Sequence, residues 1–130
     1  MIVLDASVVV EVLLRTKEGE SIADLVLDGR RTLHAPHLLD VECAQVLRRY
    51  VAQGDLADER GREALDLLAL FPLTRYVHEP LLGRMWELRA NLTAYDAAYV
   101  ALAEGLQAPL LTRDARLAGA PGLRAAVELI

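Results

Sequence analysis

The chain has 130 residues, of which 54% are hydrophobic and 25% are charged, so it is long enough for one domain with a sizeable core and too apolar to be disordered. No apolar run reaches the roughly 18 residues of a membrane span, and the N-terminus lacks the basic stretch that opens a signal peptide. The single cysteine, Cys43, excludes an internal disulfide and is typical of a reducing compartment. We therefore expect a cytoplasmic protein, without membrane association, that forms one domain over residues 1–130. The net charge of −5 argues against a broad basic surface for nucleic acid, although it leaves room for an acidic site that a metal ion neutralises.

Short apolar runs alternate with longer segments of helical periodicity along the whole chain. In chain order, the pattern predicts a strand at residues 2–4, helices at 6–15 and 19–27, a strand at 32–35, helices at 37–53 and 56–70, a strand at 73–77, helices at 80–91 and 94–106, and strands at 110–112 and 125–129. This alternation predicts a three-layer α/β/α fold around a central, mostly parallel sheet of four to five strands. Ligands bind beyond the carboxyl ends of the strands in such sheets, so the residues that follow each strand are the first place to look for a site.

Two acidic residues directly follow predicted strands. Asp5 comes after residues 2–4, and Asp114 comes shortly after residues 110–112. Each also stands at the start of a predicted helical segment, where an Asp side chain commonly caps the helix N-terminus. The sequence leaves capping and a role in a site open for both residues.

Two further acidic residues lie on apolar helices. Glu42 borders the apolar stripe of the helix at 37–53, where a carboxylate must be paired, protonated or bound to metal; the alternative is a rim residue that pairs with Arg49. Asp96 opens a helix that is apolar on nearly every side, so we expect it to be buried. Thr93, three residues earlier, gives the spacing of a capping box, which is the alternative for Asp96.

The four carboxylates would repel one another strongly if they met in one place. Two unit charges about 4 Å apart cost on the order of 4 kcal/mol at an effective dielectric constant of about 20. A divalent cation relieves that repulsion, and a ligand set made only of oxygen suits Mg²⁺ or Mn²⁺. Convergence of the four acids would therefore predict a metal site.

Four segments carry a resemblance to a known family. They are the opening Ile-Val-Leu-Asp5-Ala-Ser7, residues 36–47 with Glu42, residues 92–104 with Asp96, and Leu110-Leu-Thr112-Arg-Asp114. In order, spacing and total length, the sequence resembles PIN-domain proteins, and specifically the VapC-type toxins of toxin–antitoxin pairs. The resemblance covers essentially the whole chain, and the segment at 92–104 is the most specific part of it.

The resemblance implies an activity and a set of site residues. It implies a Mg²⁺-dependent endoribonuclease, with Mn²⁺ as a substitute, that hydrolyses RNA phosphodiester bonds in tRNA or rRNA and so inhibits translation. The residues it implies as metal ligands and catalytic groups are Asp5, Glu42, Asp96 and Asp114. Ser7 and Thr112 would be supporting polar groups beside the metal.

The resemblance also implies partners. Members are commonly homodimers, and they form higher assemblies with a VapB-type antitoxin whose C-terminal segment covers a groove of the toxin. The apolar helices at 6–15, 19–27 and 37–53 are where we expect such a groove or a dimer contact.

Basic and aromatic residues near the acidic motifs suggest where RNA would bind. Arg89, Arg113 and Arg116 could contact RNA phosphates, although for any one of them an exposed solubilising charge is the more common role. Tyr95 and Tyr99 could stack on bases, but tyrosines on a buried helix are more often packing residues.

Other functions fit the sequence less well. A phosphotransfer enzyme would need a second Asp where Ser7 stands, and a receiver domain needs a late lysine, whereas the only lysine is Lys17. His34 and His37 have no evident third partner for zinc. The main alternative is a catalytically silent PIN-like interaction module or co-repressor acting with an antitoxin, and the presence of all four acids argues against that as the sole role.

Overall fold

The structure, a computed structural model, describes residues 1–130. Five strands form one sheet: β1 (Ile2–Leu4), β2 (Leu33–Pro36), β3 (Leu73–Tyr76), β4 (Leu110–Thr112) and β5 (Val127–Leu129). They are connected by seven α-helices: α1 (Ala6–Leu14), α2 (Lys17–Val26), α3 (Leu38–Ala52), α4 (Asp58–Leu70), α5 (Leu82–Glu87), α6 (Ala94–Leu106) and α7 (Ala115–Ala118). One 3₁₀ turn, Glu79–Leu81, leads into α5.

The strand order is β3-β2-β1-β4-β5, and every neighbouring pair is parallel. Helix α1 packs against α2, α3 and α4, whereas α6 packs against α5 and against strands β1, β2 and β4. The predicted three-layer α/β/α fold with a parallel central sheet is therefore confirmed. The strand order reverses between β1 and β4, and in open parallel sheets this switch point is where ligand sites form.

The core follows from the apolar runs in the sequence. A cluster of 29 buried hydrophobic residues joins the sheet to the helices on it. Strands β1 and β4 are buried along their whole length, as expected for central strands covered on both faces. In α6, every residue from Ala97 to Ala103 is buried, so this helix runs through the interior of the protein.

Some predicted helix boundaries were wrong. Helix α1 ends at Leu14, because Arg15 adopts the left-handed conformation with φ 53°, and α2 begins at Lys17, with the Thr16 side chain accepting a hydrogen bond from the backbone of Gly19. The helix predicted at 80–91 is a 3₁₀ turn followed by a short helix that ends at Glu87.

No helix of the protein is both long enough and apolar enough to cross a membrane.

Helices α1 and α2 approach each other so closely at Gly19 that we predict a marked loss of stability for Gly19→Ala. A Cβ atom there would overlap the backbone carbonyl of Glu11, which has no room to move within its own helix. Overpacking of this kind costs about 1–3 kcal/mol of unfolding free energy, which chemical denaturation would measure. Gly105→Ala in α6 is the matched control, because a Cβ there meets nothing within 4 Å. It should be neutral or stabilise the protein by about 0.5–1 kcal/mol, and equal behaviour of the two variants would contradict this account of the α1–α2 contact.

Candidate active site

Asp5 lies at the carboxyl end of β1 and is almost completely buried, with 7% of its surface exposed. It occupies the N-cap position of α1, but its side chain makes no capping hydrogen bond. Instead, its Oδ2 atom accepts hydrogen bonds from Ser7 Oγ at 2.9 Å and from Thr112 Oγ1 at 2.7 Å. The capping alternative for Asp5 is therefore wrong, and the side chain belongs to a polar cluster between β1 and β4.

Ser7 and Thr112 each connect Asp5 to the loop that follows β4. The Ser7 hydroxyl accepts a hydrogen bond from the backbone N–H of Arg113 at 3.0 Å, and the Thr112 hydroxyl accepts one from the N–H of Asp114 at 3.0 Å. Each hydroxyl thus donates to the carboxylate and accepts from the backbone. This arrangement fixes the loop that carries Asp114 relative to the end of β1.

Glu42 is held by a tyrosine on a distant part of the chain. The hydroxyl of Tyr99, a fully buried residue of α6, donates a hydrogen bond of 2.7 Å to Glu42 Oε1. Arg49, the partner considered for a rim position, lies instead near the ring of Tyr50. Tyr99 is therefore a packing residue, as one of the two interpretations had it, and it also makes a hydrogen bond that the sequence did not reveal. The base-stacking role is wrong, because the ring is inaccessible. The sequence signal was its position three residues after Asp96, which puts both side chains on one face of the helix.

Asp96 and Asp114 share one cation. Arg116 Nη2 lies 3.1 Å from Asp96 Oδ2 and 3.2 Å from Asp114 Oδ2. The capping predictions are also confirmed in part, because Thr93 caps α6 through the N–H of Asp96, and Asp114 Oδ1 accepts from the backbone of α7. Both acids therefore lie at helix starts and face the same arginine.

The electrostatics show that the four acids influence one another. Burial raises the pKa of Glu42; the Tyr99 hydrogen bond opposes this, and the charges of Asp5 and Asp96 add to it. Burial also raises the pKa of Asp96, as do Asp5 and Asp114. Partial burial acts to raise the pKa of Asp114 as well, but hydrogen bonds from the Arg116 side chain and the α7 backbone bring it below its ordinary value. The sheet thus brings the four predicted carboxylates to one edge, where they repel one another.

The donor chemistry of this edge fits a hard divalent cation, but the side-chain arrangement does not yet enclose one. The four carboxylates and the two hydroxyls of Ser7 and Thr112 offer only oxygen, which suits Mg²⁺ and Mn²⁺. In the arrangement that the structure shows, no group of three or more His, Cys, Asp or Glu side chains could hold a metal ion. One reason is visible, since Arg116 already occupies the space between Asp96 and Asp114.

The remaining residues predicted to contact a substrate lie in different settings. The guanidinium of Arg89 stacks 4.6 Å from the ring centroid of Trp86, which is itself exposed. Tyr95 is 62% exposed on the first turn of α6, next to Asp96. The side chain of Arg113 forms no ion pair, and it lines a groove of about 320 Å³ beside α2. Away from the site, both ring nitrogens of His34 are engaged, with the hydroxyls of Thr32 and Tyr76.

Comparison with known proteins identifies the family. The model of the PIN domain matches residues 2–123. Ribonuclease VapC1 of Mycobacterium tuberculosis is 45% identical over 132 residues, and the match covers 98% of this chain and 96% of the relative. Ribonuclease VapC12 of the same organism is 42% identical over 130 residues, and the match covers 100% of this chain and 99% of the relative. The chain therefore belongs to the PIN-domain family, and within that family it is of the VapC type.

Solved structures agree on the fold. VapBC2 of Rickettsia felis, bound to a DNA fragment from its promoter, superposes with a TM-score of 0.73 at 16% identity, covering 99% of this chain and 98% of that one. VapC20 of Mycobacterium tuberculosis, described as a toxin that cleaves the sarcin-ricin loop, superposes with a TM-score of 0.69 at 12% identity, covering 91% and 93%. At these identities the similarity demonstrates a shared fold alone.

We predict that Tyr99→Phe lowers the unfolding free energy by about 1–3 kcal/mol, because it leaves a partly buried carboxylate oxygen of Glu42 without its donor. Tyr95→Phe is the matched control, since it removes a hydroxyl from an exposed tyrosine of the same helix and should change stability very little. Chemical denaturation of both variants is the measurement. Identical stability of Tyr99→Phe and the parent protein would show that the hydrogen bond has no energetic weight.

We also predict that Glu42→Gln raises the melting temperature near neutral pH in a metal-free buffer. The amide can still accept from Tyr99, while the charge repelled by Asp5 and Asp96 is gone. Because the folded-state pKa of Glu42 lies above its unfolded value, the charged group destabilises the protein fully above the folded pKa. This penalty fades as the pH falls toward the ordinary value of 4.5, so the difference between variant and parent should shrink there.

Scanning calorimetry across this pH range would measure the effect, with the exposed Glu128→Gln as a control for a general change of charge. A Glu42→Gln variant that is less stable than the parent at every pH would mean that the carboxylate stabilises the fold, contrary to this interpretation.

Proposed function

We propose that the protein is a Mg²⁺-dependent endoribonuclease, the toxin component of a type II toxin–antitoxin pair. The observation that carries this proposal is the convergence of four carboxylates, from residues 5, 42, 96 and 114, at the switch point of a parallel sheet. Carboxylates that raise the pKa values of their neighbours Glu42 and Asp96 cost the metal-free fold stability, and a divalent cation bound among them would relieve that cost. The relatives named ribonucleases, at 42–45% identity over nearly the whole chain, support RNA as the substrate.

In this proposal the metal ligands are Asp5, Glu42, Asp96 and Asp114. A divalent ion bound there supplies the Lewis-acid chemistry that makes water a nucleophile at neutral pH and stabilises charge that develops on a phosphate group. The protein's own contribution is orientation.

Hydroxyl groups provide that orientation for two of the acids. Ser7 and Thr112 both donate to Oδ2 of Asp5, and Tyr99 donates to Oε1 of Glu42. Each carboxylate is therefore held through one oxygen, which leaves the other oxygen to face a ligand. Hydrogen bonds from neighbouring side chains to metal ligands orient those ligands and tune the affinity for the metal.

The substrate in this proposal is RNA with accessible, unstacked nucleotides, in tRNA or rRNA, and its cleavage inhibits translation. Arg113 and Arg116 lie beside the fourth acid, and Arg89 lies on the turn before the third, so all three could contact phosphates that flank the cleaved bond. Exposed Tyr95 and Trp86 offer surfaces on which bases could stack.

The proposed protein partner is a VapB-type antitoxin, with the toxin itself forming a homodimer. Several solved structures that share the fold are toxin–antitoxin complexes, among them VapBC2 of Rickettsia felis and a complex from Klebsiella pneumoniae. In this chain, the groove beside α2 has an apolar lining of Ile22, Leu25 and Ile130, with the polar residues Glu18, Ser21 and Arg113 around it. An antitoxin segment with apolar side chains and charges of both signs would fit that combination.

The direct test is cleavage of RNA by the purified protein, free of antitoxin. We expect cleavage with Mg²⁺ or Mn²⁺ and none after EDTA treatment. Asp5→Asn and Asp96→Asn should reduce cleavage to background while the thermal stability stays the same or rises, because repulsion is relieved. Asp55→Asn, an exposed acid in the loop between α3 and α4, is the matched control and should cleave like the parent.

Two outcomes would separate this proposal from its alternatives. Full cleavage by Asp5→Asn and Asp96→Asn would overturn the assignment of the site. A folded protein that cleaves no RNA and binds neither Mg²⁺ nor Mn²⁺ would support the silent interaction module instead.

A further inference from the structure

The four carboxylates of the site are held in two different ways. Asp5 and Glu42 accept hydrogen bonds from neutral hydroxyl groups, namely those of Ser7, Thr112 and Tyr99. These donors orient the carboxylates but leave their negative charge in place. Asp96 and Asp114 are held instead by a guanidinium, which cancels charge as well as orienting it.

One nitrogen atom does this for both acids. Arg116 Nη2 lies 3.1 Å from Asp96 Oδ2 and 3.2 Å from Asp114 Oδ2. Arg116 thus bridges carboxylate oxygens of two residues from different elements, both of which are metal ligands in the proposed function. Asp96 is the acid for which the two cations would compete, because it is also coupled to Asp5 and Glu42.

We propose that Arg116 is a built-in counter-ion of the site, which pairs with Asp96 and Asp114 in the metal-free protein and must release Asp96 when a divalent ion binds. This inference rests on the proposed metal-dependent function. In the present arrangement no three acidic side chains enclose a metal position, and Arg116 stands between two of the four acids.

The side chain of Arg116 is free to leave. It is 73% exposed, and its only partners are the two carboxylates. Arg84 shows the contrast, because its side chain is only 19% exposed and is fixed by two hydrogen bonds to Glu104 and one to the carbonyl of Gly122. An exposed arginine with two ion pairs can exchange partners without disturbing the core, whereas the half-buried Arg84 would have to break its hydrogen bonds to Glu104, Glu87 and Gly122 together.

Release of Arg116 has a consequence for the substrate. A guanidinium freed from Asp96 would stand beside the metal ligands with its hydrogen-bond donors unpaired. Guanidinium groups bind phosphate oxygens in a bidentate geometry. The same residue would thus pair with carboxylates in the resting protein and with RNA phosphate in the loaded one.

The test compares the Mn²⁺ affinity of the parent protein, Arg116→Ala and Arg113→Ala by isothermal titration calorimetry. Arg116→Ala should bind Mn²⁺ about tenfold more tightly, because it removes both the competing cation and its repulsion of the ion. Arg113→Ala is the matched control: it removes a neighbouring positive charge that forms no ion pair, so its affinity should change by less than about threefold.

A second measurement tests whether Arg116 releases Asp96 when the metal binds or remains in a purely structural ion pair. Arg116→Ala should lower the melting temperature in EDTA, because the metal-free pairing is lost, and this deficit should disappear or reverse at saturating Mn²⁺. An equal deficit with and without Mn²⁺ would show that Arg116 keeps its partners in the loaded protein, and would overturn the proposal.

The outcomes also distinguish this proposal from the one on which it rests. If the parent protein binds Mn²⁺ and Arg116→Ala binds it no more tightly than Arg113→Ala, the counter-ion role is wrong while the metal site stands. If none of the three proteins binds Mn²⁺, both the metal site and the counter-ion role are wrong.

Discussion

The geometry of the site depends on the burial of one charge. Asp5 places a carboxylate at the end of the central strand β1, almost out of contact with water, and a buried charge is tolerated only when it is well hydrogen-bonded. Ser7 and Thr112 provide the two donors, one from the helix that follows β1 and one from the end of β4. Both hydroxyls also accept hydrogen bonds from backbone N–H groups after β4. The donors that satisfy the Asp5 carboxylate therefore also fix the loop that carries Asp114. A local requirement for hydrogen bonds thereby sets the relative positions of two acids more than 100 positions apart in the sequence.

Much of this could be predicted from the sequence because parallel sheets bring the carboxyl ends of their strands to one edge. Asp5 and Asp114 were expected at that edge because each comes just after an apolar run, and the structure places both there. The helical phase of Glu42 and Asp96 likewise indicated carboxylates close to the core. In each case the signal was local, meaning that it lay within a few residues of the acid concerned.

The features that the sequence did not reveal are contacts between distant segments. Tyr99 donates to Glu42 across 57 positions, and the backbone N–H of Leu38 at the start of α3 donates to the ring of His78, 40 positions away. The spacing of Tyr99 from Asp96 indicates only which helix face it shares; the partner in each pairing depends on how α3 packs against elements that follow much later in the chain. The bridging role of Arg116 was missed for a related reason. Its position two residues after Asp114 predicted proximity to that acid, but proximity to Asp96 depends on the approach of α7 to the start of α6.

The difference between hydroxyl and guanidinium donors matters for the proposed metal site, which must be stable without a metal and still attract one. If all four carboxylates were held by neutral donors, their full repulsion would act on the metal-free fold. If all were paired with arginines, a divalent ion would find no net negative charge to attract it. In this protein Asp5 and Glu42 accept hydrogen bonds from neutral hydroxyl groups, while an exposed arginine offsets part of the charge of Asp96 and Asp114. Repulsion is thus reduced on the side where the exposed Arg116 lies, and under the proposed function attraction for a divalent ion is kept on the side where hydroxyl groups hold Asp5 and Glu42.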